Sequence, residues 1–173
     1  MSASDGRVRR QLVTVRNRQR SGAVNVRQLR RIIITLLVDH LGVTEFHLNI
    51  CLVSALEMAR LNEKYLRHKG PTDVLAFDYR DAARPGPLFG EIFVCVEEAC
   101  AQARRFRTTW QSEVVRYVIH GLLHLCGYDD RHSRQRQKMK RAENRLLSLL
   151  SRQFSLRSLA AKPSCRKQNP ALP

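Results

Sequence analysis

His120 and His124 stand four positions apart in HGLLHLCGYDDRH, residues 120–132, a stretch that gathers three histidines and two aspartates around a glycine. The neighbouring Val114, Val115, Val118, Ile119, Leu122 and Leu123 recur at helical spacing. On a helix, four residues rise about 6 Å and rotate about 40°, so both imidazoles leave one face and can converge on one ion. Gly127 ends the helix and can take the left-handed conformation that turns the chain back. Tyr128, Asp129, Asp130 and His132 follow that turn, and one of them can supply a third ligand. A histidine pair at this spacing is by itself a common feature of ordinary helices. The glycine turn and the adjacent acid and histidine cluster favour a metal site.

The spacing is similar to that of the zinc helix of metzincin proteases, which place after the first histidine the glutamate that deprotonates metal-bound water. Here that position is Gly121, which disfavours peptide hydrolysis by that route. HGLLHLCGYDD resembles instead HGxLHLxGYDH, the signature of the YbeY family of metal-dependent single-strand endoribonucleases that act in ribosomal RNA maturation and ribosome quality control. SALEMARLNEKYL (54–66) with PTDVLAF (71–77) resembles a second block of that family, and GEIFVCVEEACAQA (90–103) a third. Together the blocks span Ser54 to Asp130 in the family's order and spacing.

The resemblance implies cleavage of RNA phosphodiester bonds, with the 3′ end of small-subunit ribosomal RNA as target, and a third metal ligand ten residues after the first. In this chain that position is Asp130 rather than histidine. Aspartate binds zinc at about 2.0–2.2 Å, so the ion can be kept with one more negative charge around it. His132 is the rival and needs two further residues of reach beyond the turn. The expected set is therefore His120, His124 and Asp130 around one zinc ion per chain. A second departure is Leu66, where many family members carry a functional arginine; Arg67 and His68 are the residues that could stand in for it. No side chain beyond the ligands is assigned a catalytic role.

Charge points to a polyanionic partner. Lys and Arg total 31 against 15 Asp and Glu, a net charge of +16, and the planar fork of arginine suits phosphate. Six basic residues follow the candidate site on one helix, and Arg134, Arg136, Lys138 and Arg141 are the expected RNA contacts. Aromatic residues make up only 6%, which argues against base stacking as the main grip. The expected partners are single-stranded RNA, ribosomal RNA and the ribosome. The five cysteines lack paired spacing, so reduced thiols are expected; Cys126 is rotated about 200° from His124 on a helix and reads as core. No apolar run reaches the roughly 18 residues of a membrane span, and the arginine-rich start lacks a secretory signal, although it is similar to an organelle transit peptide. A cytoplasmic protein without membrane contact is expected.

The elements that must position these residues follow from periodicity. QLVTVRN (11–17) and FHLNICLV (46–53) alternate as strands, as do PTDVLAFDY (71–79) and GEIFVCV (90–96). Helices are expected over 26–42, from the capping box Ser54/Glu57 to Leu66, and over 97–107, 111–126 and 133–151. This order describes an α+β fold, a single mixed sheet of about four strands covered by about five helices, with the metal site at a helix end. One domain is expected over 11–154, between basic tails at 1–10 and 155–173. Thr72 and Asp73 read as a local turn more readily than as site residues, and Tyr128 as either a phenol near the metal or an aromatic packed under the turn. The competing functional reading is a non-catalytic RNA-binding assembly factor with a structural metal. Such sites usually close with four protein ligands, and only three are visible here.

Overall fold

The structure, a computed structural model, describes residues 11–81 and 86–161. The tail expected at 1–10 and the part beyond 161 of the tail expected at 155–173 lie outside the described residues. Chain order is β1 (Gln11–Asn17), α1 (Val26–Thr35), β2 (Phe46–Val53), α2 (Ala55–Leu66), β3 (Val74–Asp78), β4 (Leu88–Cys95), α3 (Val96–Phe106), α4 (Trp110–Leu125) and α5 (Ser133–Gln153). That is the expected order. Among the described residues, no helix is long and apolar enough to cross a membrane.

The four strands form one mixed sheet in the order β1-β2-β4-β3. β1, β2 and β4 run parallel, and β3 pairs antiparallel with β4 at the edge. β2 and β4 lie in register from Phe46↔Leu88 to Val53↔Cys95 and share one burial pattern, alternating in the first half and buried on both faces in the second. The cause lies in the helical layers. One face carries the main core, where Leu29, Ile32 and Ile33 of α1 and Val118, Ile119 and Leu122 of α4 meet Leu48, Ile50 and Ile92. On the other face α2 brings Met58 and Leu61 against Cys51, Val53, Leu75, Phe93 and Cys95 and covers only that end of the strands.

Helix starts follow local chemistry. Asn25 accepts from the Gln28 amide (3.0 Å), Ser54 from Glu57 as its capping box implies (3.2 Å), and Thr109 from Ser112 (3.3 Å). Two glycines seat α4 on the sheet. A Cβ on Gly121 would stand 2.8 Å from Ile92 Cγ2, and one on Gly90 would stand 2.6 Å from the Phe77 carbonyl oxygen and 3.0 Å from Leu125 Cδ1. Position 121, where a metzincin carries its general base, is therefore pressed against the strand and has no room for a carboxylate side chain. Arg80, at the end of β3, donates to the Leu125 carbonyl and ties the sheet edge to the last turn of α4.

Two strands differ from the expectation in their bounds, β3 being Val74–Asp78 where 71–79 is expected and β4 Leu88–Cys95 where 90–96 is expected, and two further segments differ in kind. The helix expected to run to residue 42 is α-helical only to Thr35, and Leu36–His40 form a π-helical turn before Gly42 reverses the chain at φ +66°. The domain also continues past 154. Leu156–Leu159 form a short 3-10 helix with Leu156 and Leu159 buried, and Ala160 bridges Val24. Asn25 N–H donates to the Leu159 carbonyl and Ala161 N–H to that of Ala23 (2.8 and 2.9 Å), so the start of the expected tail is a structural clasp on the entry to α1.

Candidate metal centre

α4 turns its apolar side to the sheet, which leaves His120 and His124 on its half-buried margin, with 25% and 32% of their side chains exposed. Gly127 ends the helix at φ +86°, as its position suggested, and Gly127 and Tyr128 return amide bonds of 2.9 Å to His124 and Leu123. The turn that follows is held from three sides. Asp129 accepts from the Arg131 amide (3.1 Å) and pairs with its guanidinium (3.0 Å), while Arg136 donates to the Asp130 carbonyl (3.0 Å). These bonds occupy Asp129 and leave the Asp130 carboxylate facing the histidines.

His120 Nε2 and His124 Nε2 lie 2.9 Å apart, and each is 3.9 Å from an Asp130 carboxylate oxygen. Their ligand atoms all fall within 4.8 Å of one another, in the one group of three or more histidine, cysteine or acidic side chains among the described residues that could hold a metal. His132 lies outside it, exposed, as the residue that precedes α5.

The far side of each ring explains the arrangement. His120 Nδ1 meets Glu143 Oε1 at 2.6 Å, and His124 Nδ1 meets the Tyr128 carbonyl at 3.1 Å. Each neutral ring therefore places its N–H on Nδ1 and turns the lone pair of Nε2 to the shared space. Two such lone pairs and a carboxylate repel one another unless a cation or a proton lies among them. Tetrahedral zinc with bonds of about 2.0–2.2 Å separates its ligand atoms by roughly 3.3–3.6 Å, a value bracketed by the separations seen here. The donor set, two imidazoles and a carboxylate, is one that zinc accepts. Burial disfavours the charged form of His120, but the Glu143 hydrogen bond and charge, followed by Asp73 and Asp130, outweigh it and hold the pKa above the usual imidazole value.

Glu143 was not singled out from the sequence. It is the lone acid among the basic residues of α5, and it falls on the inward stripe with Met139, Leu146 and Leu150, all buried. A carboxylate on an apolar stripe is the signal that could have found it. Its side chain is 12% exposed, and it orients His120 as carboxylates orient metal-bound histidines. Glu143→Gln should weaken metal affinity by about 10- to 100-fold without loss of fold, measured by competition with a chelator. Unchanged affinity would leave Glu143 a packing residue only.

The other sequence candidates fall in different places. Tyr128 contributes its backbone carbonyl; its ring packs against the core with Lys138 Nζ 5.6 Å from the ring centre. Thr72 donates to Asp73 (3.1 Å), and Asp73 accepts from the Val74 amide (2.9 Å), the local turn expected. Asp73 nevertheless shares with Glu143, Arg116, Lys140 and Asn144 a cavity of about 420 Å³ behind His120. A cavity of about 530 Å³ at the α3–α4 junction, lined by Cys100, Arg104 and Trp110, includes none of the candidate ligands and plays no part in this chemistry. Arg67 closes α2 in the left-handed conformation (φ 56°), and neither its side chain nor that of His68 hydrogen-bonds to His120, His124 or Asp130. Cys126 packs against the core, and burial pushes its thiol pKa up, away from ligand or nucleophile chemistry. Arg134, Lys138 and Arg141 are exposed and share one face of α5, whereas Arg136 is bound to the backbone of the turn.

A family model described as endoribonuclease YbeY matches residues 14–151. A protein named endoribonuclease YbeY from Salinibacter ruber is 36% identical over 124 residues, covering 68% of this chain and 79% of that one. Proteins of the same name from Bacteroides fragilis and Chlorobium luteolum are 36% and 39% identical over 93 residues, 54% of this chain and 65% and 66% of theirs. The solution structure of TM1509 from Thermotoga maritima superposes with a TM-score of 0.61 over 90% of this chain and 100% of that one; at 23% identity it speaks for the fold alone. The family match over residues 14–151 and the 36% identity to the Salinibacter ruber protein across more than two thirds of both chains have one conclusion: the chain belongs to the YbeY endoribonuclease family.

Proposed function

We propose that the protein is a metal-dependent endoribonuclease that cleaves single-stranded RNA in the cytoplasm, with ribosomal RNA near the ribosome as its substrate. Maturation of the small-subunit 3′ end and ribosome quality control are the roles that family membership suggests. The observation that carries this reading is the convergence of His120 Nε2, His124 Nε2 and Asp130 in a partly exposed group with three protein donors. Three donors leave a coordination position for water or substrate, whereas structural zinc is normally closed by four. That difference favours an enzyme over an assembly factor with a structural metal.

His120, His124 and Asp130 would hold one zinc ion. Once bound, such an ion polarises a phosphoryl oxygen and lowers the pKa of water. The chain's own residues do the positioning. Glu143 and the Tyr128 carbonyl fix the imidazole tautomers, and the Asp129–Arg131 and Arg136–Asp130 contacts hold the third donor in place. Asp130 remains 41% exposed, so an extended strand can approach the group from solvent. Arg134, Lys138 and Arg141 lie on the adjacent helix, where they can meet successive phosphates.

The test is cleavage of an end-labelled single strand and of its duplex form, before and after chelation and zinc return. Internal cuts in the single strand that vanish with chelation and return with zinc are expected; metal-independent or absent cleavage would overturn the reading. Binding should also weaken steeply with salt. Replacing Arg134, Lys138 and Arg141 together by alanine should reduce the slope of log affinity against log salt by about 2, near 0.7 per lost phosphate contact on a single strand. An unchanged slope would remove this helix from the RNA path.

A further inference from the structure

The half of the sheet that α2 leaves bare carries a row of side chains unrelated to the metal centre. Register places Leu12 of β1 beside His47 of β2 and His47 beside Phe89 of β4, and Tyr79, just past β3, donates its amide to the Phe89 carbonyl at 2.9 Å. One residue from each strand line thus forms a row across the whole sheet. The His47 and Phe89 rings are 5.3 Å apart, and those of Phe89 and Tyr79 are 5.4 Å apart. Exposure is 47% for Leu12, 40% for Phe89 and 49% for Tyr79. A further pair, Tyr65 and Phe77, meets edge-on at 5.0 Å, with Tyr65 51% exposed.

Cross-strand aromatic pairs stabilise a sheet by packing, and that role alone could account for the contacts. It does not account for the bare surface. Four residues further along the same strand lines, Cys51, Phe93 and Leu75 are buried beneath α2, so this face does build a covered core where the chain supplies a cover. Among the described residues, no element covers the row at His47, Phe89 and Tyr79. Cations lie toward its α2 side: Arg16 projects from β1 on the same face, level with Cys51, and Arg60 and Lys64 are exposed on α2, with Lys64 Nζ 5.0 Å from the Tyr65 ring centre. Glu91, the acid in the middle of the face, is held by the Tyr79 hydroxyl at 3.1 Å.

We propose that this bare half of the sheet is a single-stranded RNA subsite, in which His47, Phe89 and Tyr79 stack bases and Arg16, Arg60 and Lys64 meet the backbone. The proposal rests on the reading of the protein as an RNA enzyme and names how that enzyme grips strand away from the scissile bond. Exposed rings on adjacent strands of a four-stranded sheet are a recurrent platform for splayed bases, because every base has a face to stack and a duplex hides it. Charge complementarity selects the occupant: a polyanion with flat aromatic groups fits a ring row bordered by cations on a chain of net charge +16. The low aromatic share of the composition therefore does not preclude stacking, since register concentrates these rings in one row.

The experiment measures binding of the metal-loaded protein to a labelled 2′-O-methyl single strand, which resists cleavage, and to the same sequence as a duplex. Phe89→Leu and Tyr79→Leu keep an apolar side chain on the sheet and remove the ring. Each is expected to weaken single-strand binding by roughly 5- to 100-fold, with duplex binding and metal content unchanged. Unchanged single-strand affinity in either folded variant, or an equal loss on duplex, would overturn the proposal. A variant that fails to fold is bypassed by photocrosslinking the unaltered protein to a 4-thiouridine strand. Adducts on peptides holding Tyr79 or Phe89 support the subsite, and adducts confined to other peptides overturn it. A wild-type protein that neither binds nor cleaves single strands would instead defeat the underlying functional reading, a result distinguishable from the variants' behaviour.

Discussion

His120→Ala and His124→Ala should each abolish stoichiometric metal binding and RNA cleavage, the largest effects expected of any single substitution in the chain. Removing one of three donors leaves two, and a site with two protein ligands loses far more affinity than the roughly 10- to 100-fold that follows loss of a supporting partner. The two variants differ in their effect on the fold. His120→Ala strands the largely buried Glu143 carboxylate without its hydrogen-bond partner, whereas His124→Ala frees only a backbone carbonyl. Thermal stability should therefore fall more for His120→Ala, because an unsatisfied buried charge costs more than an unpaired carbonyl at a half-exposed turn. Elemental analysis and melting curves on both proteins separate loss of metal from loss of structure. Retained metal in His124→Ala, whose fold should be little disturbed, would refute the ligand set.

The second large effect concerns Asp130. With two neutral imidazoles and a carboxylate, the group carries one more negative charge than three imidazoles would, and an ion so neutralised acidifies its water less. Asp130→His should keep the metal, because an imidazole there can also donate a lone pair, and Asp130→Ala should lose most metal and activity. His132→Ala should change little, since that side chain is exposed and stands outside the group. Metal content and cleavage measured on the three variants decide between the residues. A metal-free His132→Ala protein beside a metal-replete Asp130→Ala protein would assign the third ligand to His132.

Much of the fold is readable from the sequence because period and punctuation agree there. The alternation in 11–17 and 46–53 matches β1 and β2 residue for residue, and the Ser54 and Gly127 boundaries have the backbone chemistry their types imply. The 3-10 turn at Leu156–Leu159 escapes such reading. Two leucines three apart in a basic stretch carry no periodicity, and only their burial beside Val24 and Asn25 reveals them. The residues of the candidate metal centre are nameable as ligand types, two at helical spacing and one beyond the glycine turn, but their supports are not. Glu143 comes from 23 positions away, the Tyr128 partner is a carbonyl that any residue would supply, and Arg136 turns from the expected phosphate track to hold the Asp130 backbone. The ring row shows the same limit. Alternation exposes His47 on its own strand, Phe89 falls just before the strand expected at 90–96, and only register sets the two side by side.

The most direct test of the central claim, that these three side chains hold a catalytic metal, is an anomalous-difference map from crystals of the zinc-loaded protein at the zinc edge. One peak is expected, about 2.0–2.2 Å from Nε2 of His120, Nε2 of His124 and a carboxylate oxygen of Asp130, with a non-protein ligand completing the set. A peak elsewhere, a fourth protein ligand closing the site, or no peak at these residues in fully loaded crystals would contradict it.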